Sequence, residues 1–448
     1  MTVPDELSVW LYGTHIASLS RGPRGRTDRI VLSWTPEAEA RWGIGSRVLS
    51  NILPIGEDVH PIKARVFFDG YLPEGQSRTH HAVEAGVEPT DTFGLIATYG
   101  RDLAGAAIVV ASGESPEPTQ ARYEPIDIEE VSRRLAKATL HTGRLDARDS
   151  FASLPGMVPK VLLHRDGETW LACRGGAPST WIVKRSHDAD GPAADVIDTE
   201  VLALRCAERI GLGNVRAEIL TLDGMRAIAV ARYDRPRTRG GAIGRVHQED
   251  LAQAIGLNTD DANRKFQRGP AQMPSLRQAA RVLSSAGADP DPLLALVTFS
   301  FALGNTDMHA KNISFLRSPR GRALLAPAYD VSLHLHAKDN NGHFALQVNA
   351  KSSFDEISVD DLILEAVGWE LPVGRAEQTV LRTLTDLERA LESERVSGSN
   401  PGVSDLAWDN VQDRVGRLVV AARGLTSGVV SPGRGRRGPR LQSRRPGA

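Results

Sequence analysis

The feature that most constrains this chain is a junction. An apolar stretch, PLLALVTFSFALG from Pro292 to Gly304, runs directly into Asn305-Thr306-Asp307-Met308-His309-Ala310-Lys311-Asn312. The stretch is apolar almost all round, so it needs the middle of a helical body rather than its surface. Six of the next eight positions carry functional side chains. Such groups at the end of a buried helix cost desolvation unless they are used or mutually bonded, and a structural cap needs only one or two of them. The run Leu293 to Leu303 is interrupted by Thr298 and Ser300 and falls short of the roughly 20 residues that span a bilayer. Met1 to Asp5 shows no cationic region leading into an apolar one, so the expectation is a cytoplasmic protein with no membrane partner.

Composition narrows the classes further. The 448 residues carry 54 Lys+Arg against 55 Asp+Glu, a formal charge of -1, and no net field draws the chain to nucleic acid. With 41% hydrophobic and 24% charged residues it is an ordinary globular chain, long enough for two or three cores. Cys173 and Cys206 make neither a disulfide framework nor a metal-ligand spacing and read as reduced packing residues.

Patterning divides the chain into a strand-rich unit over 1–115, a mixed region over 116–235, a helical region over 236–425 and an Arg-rich, disordered tail over 426–448. In the first unit, Ser8–Gly13, Arg29–Trp34 and Ala64–Gly70 read as strands, and Phe93–Val110 as a helix turning at Gly100 into another strand. The second shows strands at Val161–Leu163, Thr180–Lys184, Ala217–Leu220 and Arg226–Tyr233, with a helix placing Ile197, Val201, Leu204 and Ile210 on one face. The third is helical from Gln248 onward, apart from a hairpin of Ile313–Leu316 and Ala323–Ala326.

Asp307 and Asn312 stand five apart, the spacing by which a protein-kinase catalytic loop sets a base carboxylate and a metal-binding amide on one turn. About one such pair arises by chance in a chain this long. The hairpin that follows, however, leads to Tyr329-Asp330 and can return a carboxylate beside Asn312 as a second oxygen ligand for Mg²⁺, leaving Asp307 to orient a hydroxyl. Upstream, Lys184 ends a strand and Glu200 follows sixteen residues later on a helix, the order of the phosphate-binding lysine and its ion-pair partner in kinases. Ser153-Leu154-Pro155-Gly156-Met157-Val158-Pro159-Lys160 precedes a strand, and Gly156 lets backbone N–H groups approach a phosphate. Neither G-x-x-x-x-G-K-[ST] nor G-x-G-x-x-G occurs, which disfavours a Walker NTPase and a Rossmann site.

These residues resemble the HipA serine/threonine kinases, toxins of type II toxin–antitoxin systems. FFDGYLPEG (Phe67–Gly75) and GRDLAGA (Gly100–Ala106) look like signatures of the family's N-terminal unit. SLPGMVPK resembles its S-x-x-G-x-Q-x-K loop, and TDMHAKN matches its T-D-x-H-x-K-N segment. The resemblance implies an α+β, two-lobed kinase fold with a small strand-rich N-terminal domain and a helical C-terminal lobe. It also implies ATP and Mg²⁺ as cofactors and a protein Ser/Thr as acceptor. On this likeness Asp307 is the catalytic base, Asn312 and Asp330 are the metal ligands, and Lys184 binds phosphate. Ala231, Arg232 and Tyr233 match the hinge that meets adenine, while His309, Ala310, Lys311 and Tyr329 fall at nucleotide-site positions. Ser153 aligns with a serine that family members autophosphorylate, which ejects the loop; about two added negative charges on a phosphate cradle give that inactivation a physical reason. Val158 replaces the usual Gln. The implied partners are a helix-turn-helix antitoxin, DNA only through it, and a target such as an aminoacyl-tRNA synthetase.

The alternatives are an inactive co-repressor of the same fold and a small-molecule kinase, since the fold does not name the acceptor. His80, His81, His334, His336 and His343 lack a coherent ligand spacing and read as solvated loop histidines. Gln248-Glu249-Asp250 either touches the acceptor or caps the helix that begins at Leu251, and the cap is the favoured reading.

Overall fold

The computed structural model describes residues 3–22, 26–117, 120–140, 160–185, 194–269 and 272–427. The first unit is a four-stranded antiparallel sheet in the order Arg26–Trp34, Thr14–Gly22, Glu6–Leu11, Ile108–Ala111. Helices Pro61–Asp69, Gly75–Ala85 and Thr92–Tyr99 accompany it. The sequence reading of Ala64–Gly70 as a strand is corrected here. The segment is helical, with Pro61 in the first turn and His60 accepting from the Ile62 N–H. Its Val and Phe residues mimic a strand because every residue from Ala64 to Asp69 is buried, which erases the amphipathic stripe.

The second unit is a six-stranded antiparallel sheet, ordered Arg122–Ile126, Thr169–Arg174, Lys160–Asp166, Trp181–Arg185, Met225–Ala231, Ala217–Leu222. Two helices pack on it rather than one. Val196–Arg209 sets Ile197, Val201 and Leu204 against Ile228 and Val230, and Ile128–Leu140 sets Val131 and Leu135 against Val161 and Val183. Ile210 departs from the expected face and packs against the helical core instead.

The helical region is built round Asp291–Leu303, in which every residue from Leu293 to Leu303 is buried. It packs against the long helices Val373–Ser397 and Asp405–Ser427. The expected hairpin is present as Ser314–Arg317 and Ala323–Leu325, and His247–Asp250 adds a third strand to it. Only from Leu251 does that segment become helix, capped by Asp250, whose carboxylate accepts from the Gln253 N–H at 2.7 Å. Among the described residues no helix is long and apolar enough to cross a membrane. Cys173 and Cys206 are both buried. Of the tail expected over 426–448, residues 426 and 427 close the last helix and the rest lies outside the described residues.

Two sealed contacts fix the first unit to the rest. In the GRDLAGA turn, Asp102 accepts from Ser179 Oγ at 2.6 Å and from Arg235 at 3.0 Å. Asp234 accepts from the Gly105 N–H at 2.7 Å. Gly105 has φ +80°, and a Cβ there would lie 2.7 Å from the Gln248 nitrogen, so no other residue fits. In the second contact, buried Glu249 joins Arg317 at 2.9 Å, Ser50 Oγ at 2.6 Å and the Asn51 N–H at 3.0 Å.

Candidate active site

A cavity of about 510 Å³ lies where the three units meet. Its polar end is assembled from four distant segments. Lys184, near the end of its strand, places Nζ 2.9 Å from Glu200 Oε2 on the packed helix and in direct contact with Asp330 Oδ1. Lys160 pairs across the strands with Lys184. Asp330 sits at φ +53°, a left-handed conformation that Asp tolerates better than most residues. Such outliers collect where a side chain must be aimed.

The segment after the apolar helix is braced from within. Gly304 closes that helix in the left-handed conformation. The Asp307 N–H donates to Asn305 Oδ1 at 3.1 Å, the Thr306 N–H to His334 Nδ1 at 3.2 Å, and Asn340 Nδ2 to Thr306 Oγ1 at 3.1 Å. Asn312 Nδ2 donates to the Asp307 carbonyl at 2.8 Å. This uses the amide's donor side and leaves its oxygen for a cation.

Electrostatics separate the two aspartates. Asp307 lines the cavity with 48% of its side chain accessible. Enclosure by protein, then the charge of Asp330, pushes its carboxyl up to about 7. Lys184 holds Asp330 well below the usual carboxylate range, against the opposite pull of burial. Glu200 is raised by burial, which Lys184 only partly offsets. Burial lowers Lys160 to about 8 and His309 to about 3, so the His309 ring is neutral. That ring stacks edge-on against Phe266, with centroids 5.3 Å apart.

The other end of the cavity is apolar, lined by Ile182, Val215 and Val230. Tyr233 and Tyr329 also line the cavity, their rings tilted at 38° with centroids 5.7 Å apart. The Ala231 N–H is spent on the Arg216 carbonyl and the Arg232 N–H on the Thr180 carbonyl, while the Arg232 side chain turns to Asp234 and Ser179. Asp307, Asn312, Asp330, Lys184, Lys160, His309, Lys311, Tyr329 and residues 231–233 thus all line one cavity. Ala310 is buried behind it, in the helical core. Ser153, Pro155, Gly156, Met157, Val158 and Pro159 lie outside the described residues.

Several lining residues escape sequence reasoning. Glu74 is bound by Lys311 at 3.0 Å and Lys265 at 3.2 Å. Lys265 ends a short 3-10 turn, Ala262–Lys265, and Phe266 follows it in extended conformation, with no periodic signal. Glu74 does fall inside FFDGYLPEG, the signal that could have found it. The histidines are corrected as well. His81 is buried on a helix, His336 is buried against Asp195 at 2.8 Å, and burial lowers His334 to about 4.

Residues 152–393 match the HipA-like C-terminal domain, and residues 7–110 match the HipA N-terminal domain. The chain is 29% identical over 344 residues to the protein Y4mE of Sinorhizobium fredii, spanning 74% of this chain and 79% of that one. It is 28% identical over 303 residues to the serine/threonine-protein kinase toxin HipA of Shewanella oneidensis, spanning 65% of this chain and 67% of that one. Its fold matches a chain in the solved complex of HipA, HipB and operator DNA from Shewanella oneidensis with a TM-score of 0.75 at 23% identity, covering 93% of this chain and 97% of that one. The architecture is α+β and two-lobed, with a strand-rich N-terminal domain and a helical C-terminal lobe.

Proposed function

Because this chain belongs to the HipA family, we propose that it is a cytoplasmic, ATP-dependent serine/threonine protein kinase, the toxin of a type II toxin–antitoxin module. The observation that carries the reading is the convergence of Lys184, Glu200 and Asp330, with a 2.9 Å ion pair, beside a braced turn bearing Asp307 and Asn312. Phosphoryl transfer asks a protein mainly for positioning and for charges fixed in place, and this set supplies both.

The donors fit magnesium. Asn312 and Asp330 offer an amide oxygen and a carboxylate, the hard oxygens that Mg²⁺ takes in small number, its other positions going to water and phosphate. When bound, the ion supplies neutralisation of phosphate charge. The chain's own residues do the rest. Lys184, held by Glu200, is the fixed cation for the triphosphate of ATP. Asp307, near 7, accepts the hydrogen bond of an acceptor hydroxyl and orients it, as a base poised close to neutral pH should. The apolar patch of Ile182, Val215 and Val230 suits a flat adenine. With two hinge amides already spent, its polar edge meets carbonyls or the Tyr233 N–H. Ser153 is the autophosphorylation site whose charge disables its loop. A helix-turn-helix antitoxin is the partner, with DNA reached through it, and the acceptor is a protein such as an aminoacyl-tRNA synthetase.

The test is Mg²⁺-dependent transfer of label from [γ-³²P]ATP to Ser or Thr, with phosphoproteomics after induced expression to name the target. Transfer by the unaltered chain and its loss in Asp307→Ala are the expected results. Undiminished transfer in Asp307→Ala removes the mechanism, and nucleotide binding without any transfer favours a co-repressor.

A further inference from the structure

One wall of the catalytic cavity comes from the N-terminal unit. Glu74 occupies the N-cap position of helix Gly75–Ala85, where a side chain ordinarily serves its own helix, yet it makes no cap hydrogen bond. Its carboxylate turns instead to the Lys311 and Lys265 ammonium groups at 3.0 and 3.2 Å. All three side chains are nearly buried, with 11%, 5% and 9% accessible. Burial alone would raise Glu74, but the two lysines bring it to about 2, so it is ionised throughout the working range.

Lys311 is also tied by its backbone. Its carbonyl accepts from the Tyr329 hydroxyl at 2.8 Å, and that hydroxyl meets Ser314 Oγ at 2.6 Å. Asn312 follows it in the chain and Asp330 follows Tyr329. One residue therefore joins the N-terminal unit, through its ammonium, to both proposed metal-side residues. Of the described N-terminal residues that line the cavity, Gly70, Tyr71, Glu74 and Ala104, Glu74 alone carries a charge. Without a carboxylate at 74, two buried ammonium groups would repel each other and turn to the remaining acids of the same cavity, Asp250, Asp307 and Asp330.

We propose that Glu74 is a positioning residue of the phosphoryl-transfer site, supplied by the N-terminal unit, which fixes Lys311 and through it the Asp307–Asn312 segment. The inference rests on the kinase reading for its effect on rate, but not for its effect on order. It makes the N-terminal unit part of the enzyme's machinery as well as its attachment.

The experiment compares full-length protein with Glu74→Gln and Glu74→Asp by two measurements. The first is amide hydrogen exchange of the nucleotide-free protein. In Glu74→Gln the amides of residues 305–312 exchange at least about tenfold faster, while those round Asp102 and Arg235 keep their rates. The second is steady-state transfer from ATP to casein as a generic acceptor. In Glu74→Gln kcat falls by about ten- to a hundredfold, the size expected from a small misplacement of reacting groups, with KM for ATP nearly unchanged. Glu74→Asp recovers part of both effects. Unchanged exchange at 305–312 in Glu74→Gln overturns the inference. So does a rise spread evenly over the molecule with a matching loss of stability, which is the signature of domain adhesion alone. If the unaltered chain transfers no label, the kinase reading fails, and the exchange result by itself decides the positioning role.

Discussion

Two charged clusters in this molecule are built to opposite rules. Round Asp102 and Asp234, the guanidinium groups of Arg232 and Arg235 are 1% and 0% accessible, and all four carboxylate oxygens accept hydrogen bonds. Round Lys184, only Glu200 is sealed, while Asp307 and Asp330 remain 48% and 47% accessible. In the sealed cluster burial would raise both carboxyls, yet the arginines pull both down. In the open one the two aspartates are pushed in opposite directions. A closed network holds domains together; an open one whose acids are driven apart has unspent charge for a ligand.

The comparison breaks most visibly at Asp307. Asp307→Asn should cut phosphoryl transfer on the order of 10²- to 10⁴-fold, the usual worth of a positioned base, while the melting temperature does not fall. Asp102→Ala should do the reverse, costing ~3–5 kcal/mol in urea unfolding because buried Arg232 and Arg235 are left with one carboxylate, Asp234, between them, with activity per folded molecule retained. Lys184→Met sharpens the contrast more gently. One lost charge-assisted contact of ~1.4 kcal/mol raises KM for ATP about tenfold.

The subtlest expectation is a titration. In the metal-free protein, carboxyl NMR should find Asp307 changing charge near pH 7, and Asp330→Asn should lower that value by removing a like charge. Because the folded value is raised, Asp307's contribution to stability is fully present below the ordinary carboxylate range and is lost as pH rises through about 7. Asp307→Asn should flatten that slope in unfolding measurements made between pH 4 and 8.

Much of the cleft was legible because the proposed phosphoryl transfer asks for its residues in a fixed order along the chain. Lys184, Glu200, Asp307, Asn312 and Asp330 are separated by spacings that a sheet, a helix and a hairpin can close. What failed to show was whatever depends on partners remote in sequence. Ala64–Asp69 reads as a strand because burial on all sides hides its helical period. Glu74 finds its lysines 191 and 237 positions away, and no local pattern marks that meeting. Asp102 and Gly105 belong to a recognisable motif, but the reason for each is a contact with Arg235 or Gln248 across a domain boundary. His336 looks like one of several scattered histidines until Asp195 closes over it.

Calorimetric titration of the full-length protein with ATP, in Mg²⁺ and then in EDTA, most directly tests whether the open cluster is a magnesium–triphosphate site. The account predicts one equivalent bound in Mg²⁺, sharply weaker binding in EDTA, and the same weakening in Asp330→Asn even with Mg²⁺ present. Equal affinity in EDTA, or full affinity in Asp330→Asn, would contradict it.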